Sequence, residues 1–225
     1  MLFRSDAQGD SGADIKTGME LHRAGRLSEA EKIYRAILDR NSADAEALHL
    51  LGVISSQTGR IKEAVELISK AISINPRVAQ YYDNLGVVYK NARRPDLAAE
   101  QHRRAIEIDP AYGMAHYNFG VSCHALGKTE EAFKHLHEAV ELNPNHYDAR
   151  YSLAQILSQQ GFYAEAIKQC EAAAALRPDE VKTYINMAEA YLGLDRPNQA
   201  IALYEKSLEM RSEEHTSELQ SLAYL

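Results

Sequence analysis

The chain has no tryptophan, two cysteines, six prolines and no excess of basic residues. Two cysteines are too few for a disulfide framework, which excludes a loop-rich scaffold stapled by bridges. Scarce proline leaves long stretches without the residue that most effectively interrupts a helix. Lysine and arginine number 25 against 32 aspartates and glutamates, a net charge of −7. That balance argues against the clustered basic footprint of nucleic-acid binding. No apolar run approaches the roughly 20 residues that cross a bilayer. The opening MLFRSDAQGD lacks the apolar centre of a secretory signal. These absences describe a cytoplasmic protein that engages neither nucleic acid nor membrane. Hydrophobic residues still make up 45% of the 225, enough to bury a core.

What is present is periodicity. Residues 45–78 read as two amphipathic helices joined by a tight turn. Leu48 and Leu51, then Ala64, Ile68, Ala71 and Ile72, recur at helical spacing. Gly52 falls inside the first helix, where glycine costs about 1 kcal/mol against alanine, so a close helix–helix contact is expected there. Gly59 stands where that helix stops, in position for a left-handed C-cap. Pro76 ends the second helix.

The same marks return every 34 residues: Pro76, Pro110, Pro144 and Pro178; Gly18, Gly52, Gly86 and Gly120; Gly25, Gly59, Gly127 and Gly161; and alanines from Ala30 to Ala200. A 34-residue helix–turn–helix period with W-x2-L-G-x2-Y, A-x3-F and P resembles the tetratricopeptide repeat. Here the pattern stands as Tyr82-x2-Leu85-Gly86-x2-Tyr89, Ala98, His102 and Pro110. The resemblance implies an all-α fold, a right-handed α-solenoid of about six helix-turn-helix repeats. The expected boundaries are 11–44, 45–78, 79–112, 113–146, 147–180 and 181–210, after a disordered start at 1–10.

Three departures modify the pattern. Asp14 and Thr17 take places usually apolar, which suits a terminal repeat facing solvent. Arg93-Arg94-Pro95 and Asp195-Arg196-Pro197 replace the turn glycine, with proline tolerated at the first helical position. Ala154 and Ala188 replace the mid-helix glycine and are still small enough for close packing. Residues 211–221, RSEEHTSELQS, resemble the translation of a short-read sequencing adapter. The tail at 211–225 is therefore expected to be artefactual, its alternative being a capping helix through Leu219, Leu222 and Leu225.

Catalytic patterns are missing. No G-x-S-x-G, Walker or dinucleotide glycine motif occurs. His135 and His137 are two apart, which points them to different sides of a helix, whereas a zinc pair prefers four. Cys123 and Cys170 read as small buried hydrophobes. Neither cofactor nor metal is expected. Glu63 and Glu66 with Lys62 and Lys70 read as a solvated face.

One constellation is distinctive. In the resembled family, the first helix of each repeat lines the inner, concave wall. Asn84, Asn118 and Asn186 share one place on it, two residues before the close-approach position. Leu50 and Ser152 interrupt the series. An amide carries donors and an acceptor, so a ladder of amides can pair with an extended peptide backbone. A similar ladder grips substrate in the repeat arms of protein O-GlcNAc transferases. A packing role for these amides stays open. The candidate peptide-contacting set is Asn84, Asn118, Asn186 and Ser152. The lysine–asparagine carboxylate clamp of cochaperones is not expected, because Val53, Val87 and Val121 occupy its asparagine place.

The leading expectation is a non-catalytic scaffold that binds a peptide or partner helix in a concave groove. The alternative is the substrate-recognition arm of an enzyme whose catalytic domain lay downstream. Residues 22–38, HRAGRLSEAEKIYRAIL, look like bacterial repeat arms that precede glycosyltransferase, sulfotransferase or methyltransferase domains.

Overall fold

The computed structural model describes the backbone of residues 6–223 and the side chains of residues 12 and 14–212. Among the described residues the chain forms helices only: α1 (Asp6–Arg23), α2 (Leu27–Arg40), α3 (Ala45–Gln57), α4 (Ile61–Ile74), α5 (Ala79–Asn91), α6 (Pro95–Ile108), α7 (Gly113–Ala125), α8 (Thr129–Leu142), α9 (Tyr147–Gln159), α10 (Tyr163–Leu176), α11 (Val181–Gly193) and α12 (Pro197–Ala223). The fold is an all-α helical-repeat solenoid. No described helix is long and apolar enough to cross a membrane. Helix α1 starts at Asp6, inside the segment expected to be disordered. Residues 1–5, the rest of that expectation, lie outside the described residues. So do the side chains of the adapter-like stretch from 213 onward, although the backbone of α12 runs on to Ala223 as one helix.

The helices group into two compact units, Met1–Asn118 and Phe119–Leu225. In the first, α1 packs on α2, α3 on α4 and α5 on α6, while α2 covers α3 and α4 covers α5. The first helices also lie side by side, α1 against α3 and α3 against α5. In the second, α8 to α12 pack in chain order, and α9 lies against α11. Each unit thus has one wall built from the first helices of its repeats.

Each helix pair closes on one recurrent contact. A Cβ added at Gly18 would meet the Tyr34 ring, at Gly52 Ile68, at Gly86 the His102 ring and at Gly120 Leu136. Glycine on the first helix therefore makes room for a large side chain on the second. Ala154 and Ala188, the expected substitutes, are fully buried. The prolines follow the second helices as expected. The residue before each, Asn75, Asp109, Asn143 or Arg177, has φ between −129° and −140°. That is the extended backbone that a following proline imposes, and it stops the helix.

The tight turns within the hairpins need one left-handed residue. Gly59 and Gly161 supply it at φ 78° and 82°, and Arg93 and Asp195 adopt the same conformation at 57° and 58°. Pro95 and Pro197 each open the next helix. An L-residue at such φ carries strain of about 1–2 kcal/mol.

Two substitutions test this geometry by urea unfolding. Gly52→Ala would place a Cβ 2.6 Å from Ile68 Cγ1 and 3.3 Å from the Ala64 carbonyl oxygen. The overlap should outweigh the propensity gain of about 1 kcal/mol and leave a net loss of about 1–3 kcal/mol. Arg93→Gly should instead raise stability by up to about 1 kcal/mol, by relieving the left-handed strain. A stabilised Gly52→Ala would contradict the close approach.

Candidate functional site on the wall of first helices

The asparagine series lies on the expected helices, but the amides of Asn84 and Asn118 reach sideways into the neighbouring repeat. In the first unit, Asn84 is half-buried on α5. Its Nδ2 lies 2.7 Å from Nε2 of His49 on α3. His49 is only 3% exposed and tilts against Tyr81, ring centroids 4.5 Å apart. Burial pushes the His49 imidazole down to about 4, so the ring is neutral at pH 7. Its Nε2 accepts from the Asn84 amide.

Asn118 makes the same sideways bond. Its Nδ2 donates to both oxygens of the Asp83 carboxylate, at 3.0 and 3.3 Å. It is only 4% exposed, so this member of the expected ligand-facing set is directed at its own protein. The reason is electrostatic: Asp83 is 2% exposed, and a carboxylate so deeply buried needs several donors. His102 Nδ1 lies 2.9 Å from Oδ1, and the Tyr112 hydroxyl donates to Oδ2 at 3.4 Å. Burial and the Asp83 charge push the Tyr112 phenol up. His102 is fully buried and its Nε2 has no partner. The Nδ1–H tautomer is the one that donates to Asp83, leaving only an acceptor lone pair stranded. Sequence reading noted His102 in the place of an aromatic residue but did not pair it with Asp83. The available signal was a charged residue three positions before the close-approach Gly86.

In the second unit the wall opens into a cleft of about 250 Å³ between α9 and α11, lined by Tyr151, Gln155, Ser158, Gln159, Lys182, Ile185, Asn186 and Glu189. Asn186 is 5% exposed. Its Nδ2 and the Ser158 Oγ are buried without hydrogen-bond partners. Tyr147 and Tyr151 stack, centroids 6.2 Å apart and 9° from parallel. Lys182 Nζ lies 5.2 Å from the Tyr151 centroid and 3.6 Å from Glu180. Gln155 Nε2 donates to the Tyr151 hydroxyl at 3.2 Å. Burial chiefly, and the Glu189 charge less strongly, push the Tyr151 phenol up. Ser152 is half-buried on α9, one residue beyond Tyr151, and is not among the residues lining the cleft. Ser158 was not singled out from the sequence, because serine at a helix end carries no distinctive signal.

Of the other reactive side chains, the cysteines are packed, His135 is half-buried and His137 is exposed. Cys123 and Cys170 are fully buried, and burial pushes the Cys170 thiol up to about 12. His135 meets Phe119 edge-on at 4.7 Å, and His137 lies 6.1 Å from the Phe133 ring. Among the described residues no group of three or more His, Cys, Asp or Glu could hold a metal ion. Glu63, read from sequence with nearby lysines, pairs instead with Arg35 at 2.8 Å and Arg60 at 2.9 Å.

Stacked helix pairs with a wall of first helices define a helical-repeat protein. Four family models refine the class: tetratricopeptide-repeat models over residues 21–85, 78–108 and 145–213, and a TPR-repeat model over 120–161. The chain belongs to the tetratricopeptide-repeat family. No curated protein matches it. Among solved structures it is similar to pilF of Pseudomonas aeruginosa, with 18% identity and TM-score 0.81 over 94% of this chain and 100% of that one. It is similar to MamA, with 22% identity and TM-score 0.69 over 74% and 97%. YrrB, described as a TPR protein with an unusual peptide-binding site, matches at 22% identity and TM-score 0.69 over 84% and 97%. At these identities the likeness establishes the fold alone. None of these matches bears out the resemblance to O-GlcNAc transferase arms or the adapter reading of the tail.

Two measurements test the buried polar contacts. The folded pKa of His49 lies below the ordinary 6.5, so the unfolded chain takes up the proton first. Its contribution is complete above pH 6.5 and is lost as pH falls towards 4, by about 3 kcal/mol. His49→Phe should flatten this part of the stability–pH curve. Asp83→Ala strands His102 and Asn118 and should cost about 3–5 kcal/mol. Asp83→Leu combined with His102→Phe should recover most of that loss in urea unfolding.

Proposed function

We propose that this chain is a non-catalytic protein-interaction scaffold that holds a peptide or partner helix against its wall of first helices. One observation carries the reading. The α9–α11 cleft strands two buried polar atoms, Asn186 Nδ2 and Ser158 Oγ. A buried polar atom without a partner costs about 1–3 kcal/mol. A ligand carbonyl or amide recovers that energy once the two side chains turn into the cleft. Of the candidate set, Asn186 lines this cleft and Ser152 lies on α9 beside it, while the half-buried Asn84 belongs to the wall of the first unit. Asn118 supports the wall from beneath by fixing Asp83. The peptide-binding site named for YrrB agrees with this use of the fold. We also assign the protein to the cytoplasm, with neither nucleic acid nor membrane as partner and with no cofactor. Its net charge of −7 supports the exclusion of nucleic acid.

The test is selection of a displayed library of random 12-residue peptides on the immobilised full chain, followed by calorimetry of the enriched peptides. Ser158→Ala with Asn186→Leu should weaken binding by about 5- to 150-fold, equivalent to about 1–3 kcal/mol. The same pair should leave stability unchanged or raised, because it removes stranded polar atoms. Failure to enrich any peptide would overturn the reading, as would an affinity insensitive to both substitutions.

A further inference from the structure

The cleft between α9 and α11 has a charge order of its own. Lys182, Asn186 and Glu189 stand at i, i+4 and i+7 on α11, so they share one face. All three line the cleft. Seven residues of helix rise about 10.5 Å, so the cation at one end and the anion at the other are too far apart to pair with each other. Lys182 is held near its end by Glu180 at 3.6 Å and by the Tyr147 and Tyr151 rings at 5.3 and 5.2 Å. Glu189 is exposed. Between them lies the stranded Asn186 amide. The site is therefore an ordered row of cation, hydrogen-bond donor and anion.

A ligand matches that row when its own charges are spaced alike and face one side. A polyproline-II segment has three residues per turn and rises about 3.1 Å per residue. Side chains three apart then share a face at about 9.3 Å, close to the span of α11 between Lys182 and Glu189. A flat β-strand alternates its side chains and puts positions three apart on opposite faces. We propose that the α9–α11 cleft selects a polyproline-II-like peptide carrying one acidic and one basic side chain three residues apart. The acid meets Lys182, the base meets Glu189, and a carbonyl between them accepts from Asn186 Nδ2 once that side chain turns into the cleft. This rests on the peptide-binding reading above and narrows it to a chemical class. Exposed charges of this kind govern selectivity and association rate more than affinity, so the expected discrimination is modest, about 3- to 10-fold.

The test is the composition of the peptides enriched from the random 12-residue library on three versions of the full chain. The unaltered chain should enrich opposite charges three residues apart, in either chain direction. Glu189→Lys makes both ends basic and should shift the enriched pair to two acids at the same spacing. Lys182→Glu should shift it to two bases. Both positions are exposed, and a single cooperative thermal transition confirms that each variant is folded, although Lys182→Glu gives up the contacts with Glu180 and the tyrosine rings. Enriched peptides with the same charges on all three chains, or with no three-residue spacing, would overturn the charge reading while leaving peptide binding intact. No enrichment on any of the three would overturn peptide binding itself.

Discussion

Every repeat depends on one steric bargain between its two helices. A glycine or alanine on the first helix lets a bulky side chain from the second lie directly against its backbone. Gly52 under Ile68, Gly86 under His102 and Gly120 under Leu136 are instances of the same contact. Glycine inside a helix is unfavourable by about 1 kcal/mol, so the contact must return more than that in burial and dispersion. It does so because Ile68 and Leu136 are left almost without solvent contact, and a fully buried aliphatic side chain contributes about 1.5–3 kcal/mol. The left-handed turn and the proline stop then fix where each helix begins and ends. They let the same contact recur at a constant interval.

The third repeat uses that contact differently. Ile68, Leu136 and Cys170 fill the equivalent position with side chains that make few polar demands, Tyr34 brings a buried hydroxyl without a partner, and His102 brings an imidazole. Its partner Asp83 would be prohibitively placed alone, so Asn118 and Tyr112 turn inward to complete the set of donors. Such a network specifies its geometry more strictly than an apolar core, because each polar atom has one satisfactory arrangement. It also consumes groups that would otherwise face a ligand. Asn118 and Asn186 hold the same place in the repeat but differ in what stands one repeat back: Asp83 faces the first and Tyr151 the second. One amide is satisfied internally, and the other is left without a partner in a cleft.

The distinction between scaffold and site follows from this. Packing residues recur in every repeat because every helix pair meets the same neighbours. A polar residue's role is set by the particular side chain opposite it, which changes from repeat to repeat. Glu63 illustrates the point: its sequence neighbours Lys62 and Lys70 suggested an ordinary solvated face, yet its partners are Arg35 on the preceding repeat's second helix and Arg60.

The sequence by itself determined the helix–turn–helix period, the close-approach positions, the helix stops and the tetratricopeptide class. These are local rules of backbone conformation and side-chain size, repeated at an interval that a single chain displays openly. The left-handed Arg93 and Asp195 were legible in the same way, as departures from a ruler that glycine otherwise occupies. Only the tertiary structure decided what the asparagines do. Hydrogen bonding is directional and acts over about 3 Å, so an amide's role depends on which atom from a neighbouring repeat lies within that reach. Residues 35 apart in the chain, such as Asn84 with His49 and Asn118 with Asp83, meet only after the helices have stacked.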